Sequence, residues 1–180
     1  MIYFQQGDAA ETVAKKAAIT TKAANTAFSA SAEEMSEMLT AVWNSYQVGE
    51  EELEKYVDIM AALGAATATS TEEIATAMQK VAATANTVGV SMQQMSSIIA
   101  TVSSVTREAP ESIGTSFKTI LARIGDLKLG KTLEDGATLG QVSGQLSQIG
   151  INVLDATGNL KGMGEVLDSL MLKWDGLTDA

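Results

Sequence analysis

The residues with the plainest chemical promise are Gly125 to Thr132, GDLKLGKT, which spell G-x-x-x-x-G-K-T. At that spacing a phosphate-binding loop wraps backbone N–H groups around phosphate oxygens. Its Lys reaches the terminal phosphates and its Thr hydroxyl holds Mg²⁺. Such a loop works only between a buried strand and the N-terminus of a following helix. The sequence offers neither. Ile113, Phe117, Ile120, Leu121 and Ile124 recur at three- and four-residue steps, so a helix, not a strand, runs into Gly125. After Thr132 come Glu134, Asp135 and Gly136, a poor helix start. Asp155 at the end of Ile151–Asp155 could be read as a magnesium ligand, but no set of parallel strands exists to bring it beside the loop. The string therefore reads as the exit loop of a helix, and a P-loop nucleotide-binding protein is a less favoured reading than a structural one.

Two other groups of charged residues stand out in the sequence. Glu50, Glu51, Glu52 and Glu54 could form a metal or acid–base cluster, but three of these acids open a helix, where the dipole favours solvated negative charge. Lys118 and Arg123 flank the helix that begins at Pro110 and read as a solvated face. The chain has no Cys and no His, which removes disulfides, thiolate nucleophiles, Cys/His zinc sites and His acid–base chemistry. No catalytic, cofactor-binding or metal-binding residue is expected, and the chain is read as a non-enzyme.

The elements that would position any site are helices. Of 180 residues 46% are hydrophobic, only 4% are aromatic and one is Pro, the composition of closely packed helices. A net charge of −10 argues against binding the phosphate backbone of nucleic acid. No apolar run approaches the ~20 residues of a membrane span, and Met1–Gly7 lacks the basic and apolar regions of a signal peptide.

In order, Asp8–Phe28 reads as a helix with Asp8 and Glu11 at N-cap and N3 spacing and a thin stripe of Val13, Ala17, Ala24 and Phe28. Ser31 and Glu34 form a capping box ahead of Met35, Met38, Leu39, Val42, Trp43 and Tyr46, and Gly49 is the expected stop. Glu50–Leu63 follows with Leu53, Tyr56, Val57, Met60 and Leu63 inward, stopped by Gly64. Ser70 with Glu73, and Ser91 with Gln94, cap two further helices. Their stripes are Ile74, Met78, Val81, Ala85, Val88 and Met92, Met95, Ile98, Ile99, Val102, Val105. Gly89 separates them, and Val90 is placed to staple against Met95. Pro110 opens the next helix, ending at Gly125. Beyond it lie a glycine-rich loop, a short helix with Leu139, Val142, Leu146 and Ile149, a small β-hairpin around Ile151–Lys161 turned by DATGN (Asp155–Asn159), and a helix Met163–Trp174 with Met163, Val166, Leu167, Leu170 and Trp174 inward. The nine methionines fall mostly on inward stripes, as adaptable core.

Overlaying the stripes gives a period of 39 residues: Met35, Ile74, Ile113; Leu39, Met78, Phe117; Val42, Val81, Ile120; Trp43, Ala82, Leu121; Tyr46, Ala85, Ile124. Stacked repeats and unrelated amphipathic helices with similar loops both account for this, and both predict packed α-hairpins. Phe117 and Ile120 are expected in the core.

The chain resembles the core of bacteriophage and prophage tail tape measure proteins of the long-tailed type. The resemblance is carried by QQG at Gln5–Gly7, by TAVWNSYQVGEEELEKYVDIMAALGAATATSTEEIATAMQKVAATANTVGVSMQQ at Thr40–Gln94, by TSFKTILARIGDLKLGKTLEDG at Thr115–Gly136 and by GINVLDATGNLKGMGEVLDSLMLKW at Gly150–Trp174. It favours a native origin for Gln5–Gly7 over a protease-tag scar. It implies a structural role in tail assembly and tail-length determination, in the lumen of the tail tube, after synthesis in the bacterial cytoplasm. Implied partners are the tail tube protein, assembly chaperones and tail-tip proteins, with self-association left open, and no catalytic or cofactor residue. The alternative is a non-viral helical-repeat adaptor. A membrane-active segment released at ejection is a weaker idea.

The expectation is thus an all-α module of packed helical hairpins with one small β-hairpin. Residues 1–7 are a fragment start or linker, 8–125 the helical-hairpin module, and 126–180 the glycine-rich loop, short helix, hairpin and terminal helix.

Overall fold

The computed structural model of the protein describes residues 10–26 and 31–174. Among these the regular structure is all helical: α1 Ala10–Thr26, α2 Ala32–Tyr46, α3 Glu50–Ala66, α4 Thr71–Val88, α5 Met92–Thr106, α6 Pro110–Lys128, α7 Leu139–Gln148 and α8 Met163–Trp174. Asp8, Phe28, the Gln5–Gly7 segment and the side chain of Trp174 lie outside the described residues.

The starts of these helices are fixed by local chemistry. Ser31 Oγ accepts from the Glu34 N–H at 3.2 Å while the Glu34 carboxylate accepts from the Ser31 N–H at 2.8 Å. The same exchange ties Ser70 to Glu73, Ser91 to Gln94 and Thr138 to Gln141. Each satisfies two backbone groups that a helix start leaves unpaired.

The ends are less simple than the glycines suggest. α2 stops at Gln47, which takes the left-handed conformation (φ 52°) and donates its N–H to Trp43 O; Gly49, the expected stop, is instead the N-cap of α3. α5 ends the same way at Arg107, φ 57°. Gly64 does not stop α3, which runs on to Ala66. A Cβ there would lie 3.1 Å from the Thr71 backbone nitrogen, so this glycine admits the backbone at the start of α4 rather than breaking the helix. Gly125 likewise lies inside α6, where a Cβ would sit 3.3 Å from Val88 Cγ1. Gly89 behaves as expected: it follows α4 with φ +82°.

The chain forms two units, Met1–Asn86 with Ser91–Lys118, and Thr87–Val90 with Thr119–Ala180. The first has a continuous core. Met35, Leu39 and Val42 of α2, Leu53, Tyr56, Val57 and Met60 of α3, Ile74, Met78 and Val81 of α4, Met95 and Ile99 of α5, and Ile113 of α6 are all buried. Each such side chain contributes roughly 1.5–3 kcal/mol. Polar contacts fix the neighbours. Thr76 donates to Met38 Sδ at 3.4 Å and Asn86 to Ser45 O at 2.8 Å, joining α4 to α2. Ser96 donates to the Tyr56 hydroxyl at 3.5 Å, joining α5 to α3, and Arg107 donates to Ala68 O at 2.6 Å. α1 packs on α2 and α3.

The second unit is thinly cored. Val88, Val90, Leu121, Leu127, Ile151 and Val153 are buried. No residue of α7 is, and the α8 stripe of Met163, Val166, Leu167 and Leu170 is half-buried.

Two expectations are corrected. Phe117 is half-buried and Ile120 is 50% exposed, so neither is a fully buried core residue. Their stripe is amphipathic as read, but at those two positions α6 is incompletely covered; Ile113 and Leu121 carry its burial instead. The small β-hairpin reduces to one antiparallel bridge between Leu154 and Leu160, with no strand among the described residues. The DATGN turn forms, but Asp155 Oδ1 takes the N–H groups of Thr157 and Asn159, and backbone pairing stops after Asp155 N–H to Asn159 O and Lys161 N–H to Val153 O.

Candidate functional site

The G-x-x-x-x-G-K-T string can be judged atom by atom. Gly125 to Lys128 are helical. The N–H groups a phosphate would need close the helix end instead: Leu129 donates to Gly125 O at 3.1 Å, Gly130 to Leu127 O at 3.0 Å and Lys131 to Asp126 O at 3.0 Å. A helix C-terminus presents partial negative charge, which repels phosphate. The Lys131 ammonium is held 2.7 Å from Asp126 Oδ1. Gly130, at φ +74°, supplies the left-handed turn that this termination requires. The segment is a helix stop, and its Lys serves an exposed local ion pair.

The acids at the start of α3 contribute to an open cleft of about 510 Å³ lined by Lys15, Ala18, Ile19, Lys22, Glu51 and Glu54. Lys22 reaches Asp58 at 2.8 Å and Glu54 at 3.6 Å. The Asp58 hydrogen bond, with the negative charge of both carboxylates, raises the Lys22 pKa above its ordinary value. Opposite charges thus cancel along the cleft, which leaves no single-sign field to gather a charged ligand. Among the described residues no group of three or more acidic side chains is placed to hold a metal ion.

Lys118 and Arg123 are exposed, as read. Arg123 lies 3.8 Å from Asp135.

The sequence reading missed Lys16. It is 2% exposed, with its ammonium 4.2 Å from the centroid of Trp43 on α2. The signal was present, since Val13, Lys16 and Thr20 share one helical face and all three are buried. An aromatic face attracts a desolvated ammonium, and the aliphatic stem of Lys packs like an apolar chain. The pair ties α1 to α2.

Asp155 is similarly absorbed by structure. Its Oδ1 accepts from the Thr157 hydroxyl at 2.7 Å, the Thr157 N–H at 2.8 Å and the Asn159 N–H at 3.0 Å. These bonds, the Thr157 hydroxyl first, hold its pKa below the ordinary carboxylate value.

What is left is surface. The family model of phage-related minor tail proteins matches residues 2–180. The chain belongs to that family. No solved structure matches it. The family supports a structural role in the phage tail. Among the described residues of this minor tail protein, the exposed large apolar side chains include Val105, Ile120, Leu129, Ile149 and Leu172. Among the described residues no helix is long and apolar enough to cross a membrane.

Proposed function

We propose that this minor tail protein is a segment of a tail tape measure protein, acting in tail assembly and tail-length determination from within the tail tube. The observation that carries the reading is the family match over residues 2–180. It favours a phage tail role over a non-viral helical adaptor. The ordered resemblance at Thr40–Gln94 and Gly150–Trp174 supports the narrower assignment. The tail tube protein, assembly chaperones and tail-tip proteins are the proposed partners. The role is non-enzymatic, in keeping with a G-x-x-x-x-G-K-T string whose N–H groups close a helix.

The folded module would serve as a contact piece, not as the ruler itself. Even as one straight helix, 180 residues reach only about 270 Å at ~1.5 Å per residue. Length would come from further helical sequence in the same reading frame. In-frame deletions in that sequence, with tails measured by electron microscopy, test the proposal. Tails should shorten in proportion to the residues removed. Tails of unchanged length overturn it.

We further propose that residues 8–125 are built on a 39-residue repeat. The helices α2, α4 and α6 begin at 32, 71 and 110. The buried residues Leu53, Tyr56 and Met60 of α3 correspond at the same interval to Met92, Met95 and Ile99 of α5. The α4 helix meets α2 where Thr76 donates to Met38, and α6 meets α4 where Gly114 lies against the Ala77 backbone; Ala77 stands 39 residues after Met38, and Gly114 38 residues after Thr76. On this reading α1 holds the place of α3 and α5 in a preceding unit, at an interval one residue longer, with Val13, Lys16 and Thr20 in the positions of Leu53, Tyr56 and Met60.

A further inference from the structure

We propose that α1 is a releasable cover. It leaves α2 and α3 as one element while the rest of the first unit stays folded, and the seat it vacates takes a basic amphipathic helix of another protein. Release follows from what α1 buries. In the register proposed above, Lys16 and Thr20 stand where α3 buries Tyr56 and Met60 and α5 buries Met95 and Ile99. Lys16 and Thr20 are buried whether or not that register holds. The sizeable apolar side chains that α1 buries are Val13 and Ile19, with the small Ala23. Thr20 donates its hydroxyl to Lys16 O of its own helix at 2.7 Å, so that bond survives when α1 leaves. The Lys16 ammonium, 4.2 Å from the Trp43 ring centroid, gains the attraction of the ring but gives up water. The seam beside it is open: the cleft of about 510 Å³ is lined by α1 on one side and by Glu51 and Glu54 of α3 on the other. Lys22 bridges this side to Asp58 and Glu54, but the three side chains are about half exposed, and ion pairs in water contribute little. A helix with few buried apolar side chains and solvent-exposed ties opens at a lower free energy than the core it covers.

The chemistry of the seat says what enters it. α2 presents the face of the Trp43 ring, and α3 presents the carboxylates of Glu54 and Asp58; each meets a Lys of α1. A partner helix therefore needs a Lys or Arg that reaches the ring and a second at the spacing of Lys16 and Lys22. Between them it needs an apolar side chain, as Ile19 provides. An aromatic face selects a cation, and two carboxylates select a second one. A net charge of −10 draws a basic segment from a distance as well. The mode is a helix laid into a groove, its apolar side inward and its charges fixing the register.

Hydrogen exchange of the full chain, followed by mass spectrometry, tests the release. Amides of α1 should exchange through an opening of their own, faster than those of α3, α4 and α5. Lys16→Met removes the buried charge and should slow exchange in α1 by at least about tenfold. Ile99→Val weakens the core and should speed exchange in α4 and α5 by about two- to tenfold while leaving α1 unchanged. A labelled peptide of residues 10–26 tests the seat. It should bind the wild-type chain saturably, and the Lys16→Met chain at least about tenfold more weakly because the cover stays shut. The same peptide carrying Lys16→Glu and Lys22→Glu should not bind. If Lys16→Met lowers the unfolding midpoint of the chain, Lys16→Leu is read in the same way. Exchange in α1 that keeps step with α4 and α5, or that Lys16→Met does not slow, overturns the release. A peptide that binds neither chain, binds both alike or binds equally without its lysines overturns the seat. None of these readings depends on tail length or on equivalence of the repeats, so failure here is told apart from failure of either proposal above.

Discussion

Gly114 sets how close α6 comes to α4. A Cβ there would collide with the carbonyl oxygen of Ala77 and lie 3.0 Å from its Cα and from Lys80 Cβ. Backbone cannot step aside as a flexible side chain can, so the helices would have to separate. Gly140, also helical, has nothing within 4 Å of the corresponding point. The two glycines therefore respond oppositely to one substitution. Gly114→Ala should destabilise by about 1–3 kcal/mol through overpacking. Gly140→Ala should be neutral or stabilise by up to about 1 kcal/mol, through helix propensity alone. Urea unfolding of both variants checks this, and equal responses would mean that α6 and α4 are not in close contact. Nothing in the local sequence distinguishes these glycines. The sequence reading used Gly64 and Gly125 as helix stops, because glycine is a common terminator, and did not interpret Gly114 at all. All three lie within helices at points of close approach; for Gly114 and Gly125 that role depends on a neighbour distant in sequence, and for Gly64 on Ser70 and Thr71 just beyond its own helix. The same limit hid Lys16, whose burial depends on Trp43 being opposite.

At the scale of the element, the capping boxes were legible because every participant lies within four residues. Ser31, Ser70 and Ser91 cap where their spacing indicated. Helix ends made by Gln47 and Arg107 in the left-handed conformation carry no comparable signal. The boxes also give the module an acid sensitivity with a definite sign. The Ser31 N–H, and then its hydroxyl, lower the pKa of Glu34 below its ordinary 4.5. For Glu73 partial burial is the largest influence and acts upward, but the Ser70 N–H, the Thr69 and Ser70 hydroxyls and the Arg107 charge outweigh it and leave the pKa lowered. A carboxylate whose folded-state pKa lies below its unfolded value contributes stability that is fully present above the unfolded value, about 4.5. That contribution is lost as pH falls through the folded one. The unfolding midpoint should therefore hold as pH is lowered from 7 to about 5 and drop below about 4.5. In Glu34→Gln and Glu73→Gln the drop should be shallower, because a neutral amide can still accept the N–H bond but no longer titrates. Wild-type and variant midpoints that fall in parallel would show that other carboxylates govern the acid limb.

For the whole molecule, the stripes indicated packed helices correctly, but not where coverage ends. Burial at Phe117 and Ile120 depends on what lies beyond α6, and no periodicity within α6 contains that information. The candidate nucleotide loop failed for a related reason: its letters were present, yet their N–H groups were already committed to the helix they follow. Whether the module is a true array is a question of energetics, and a deletion answers it. Removing residues 70–108 takes out α4, α5 and one full period, and joins Thr69 to Ala109 at the native start of α6. If the units are equivalent, α6 then docks on α2 as it did on α4. Gly114 would face Met38 and Ala41, which stand one period before Ala77 and Lys80, and an unbranched Met adapts to a new neighbour. In a one-dimensional array each unit contacts only its neighbours, so losing one shortens the stack without dissolving it. The deleted chain should remain helical and unfold cooperatively, at a lower midpoint because fewer interfaces remain. In a module whose helices merely resemble one another, the same deletion would remove Ile74, Met78, Val81, Met95 and Ile99 from a unique core with no equivalent partners to close the gap. Circular dichroism with urea titration would then show loss of helix and no cooperative transition, and the repeat would be rejected.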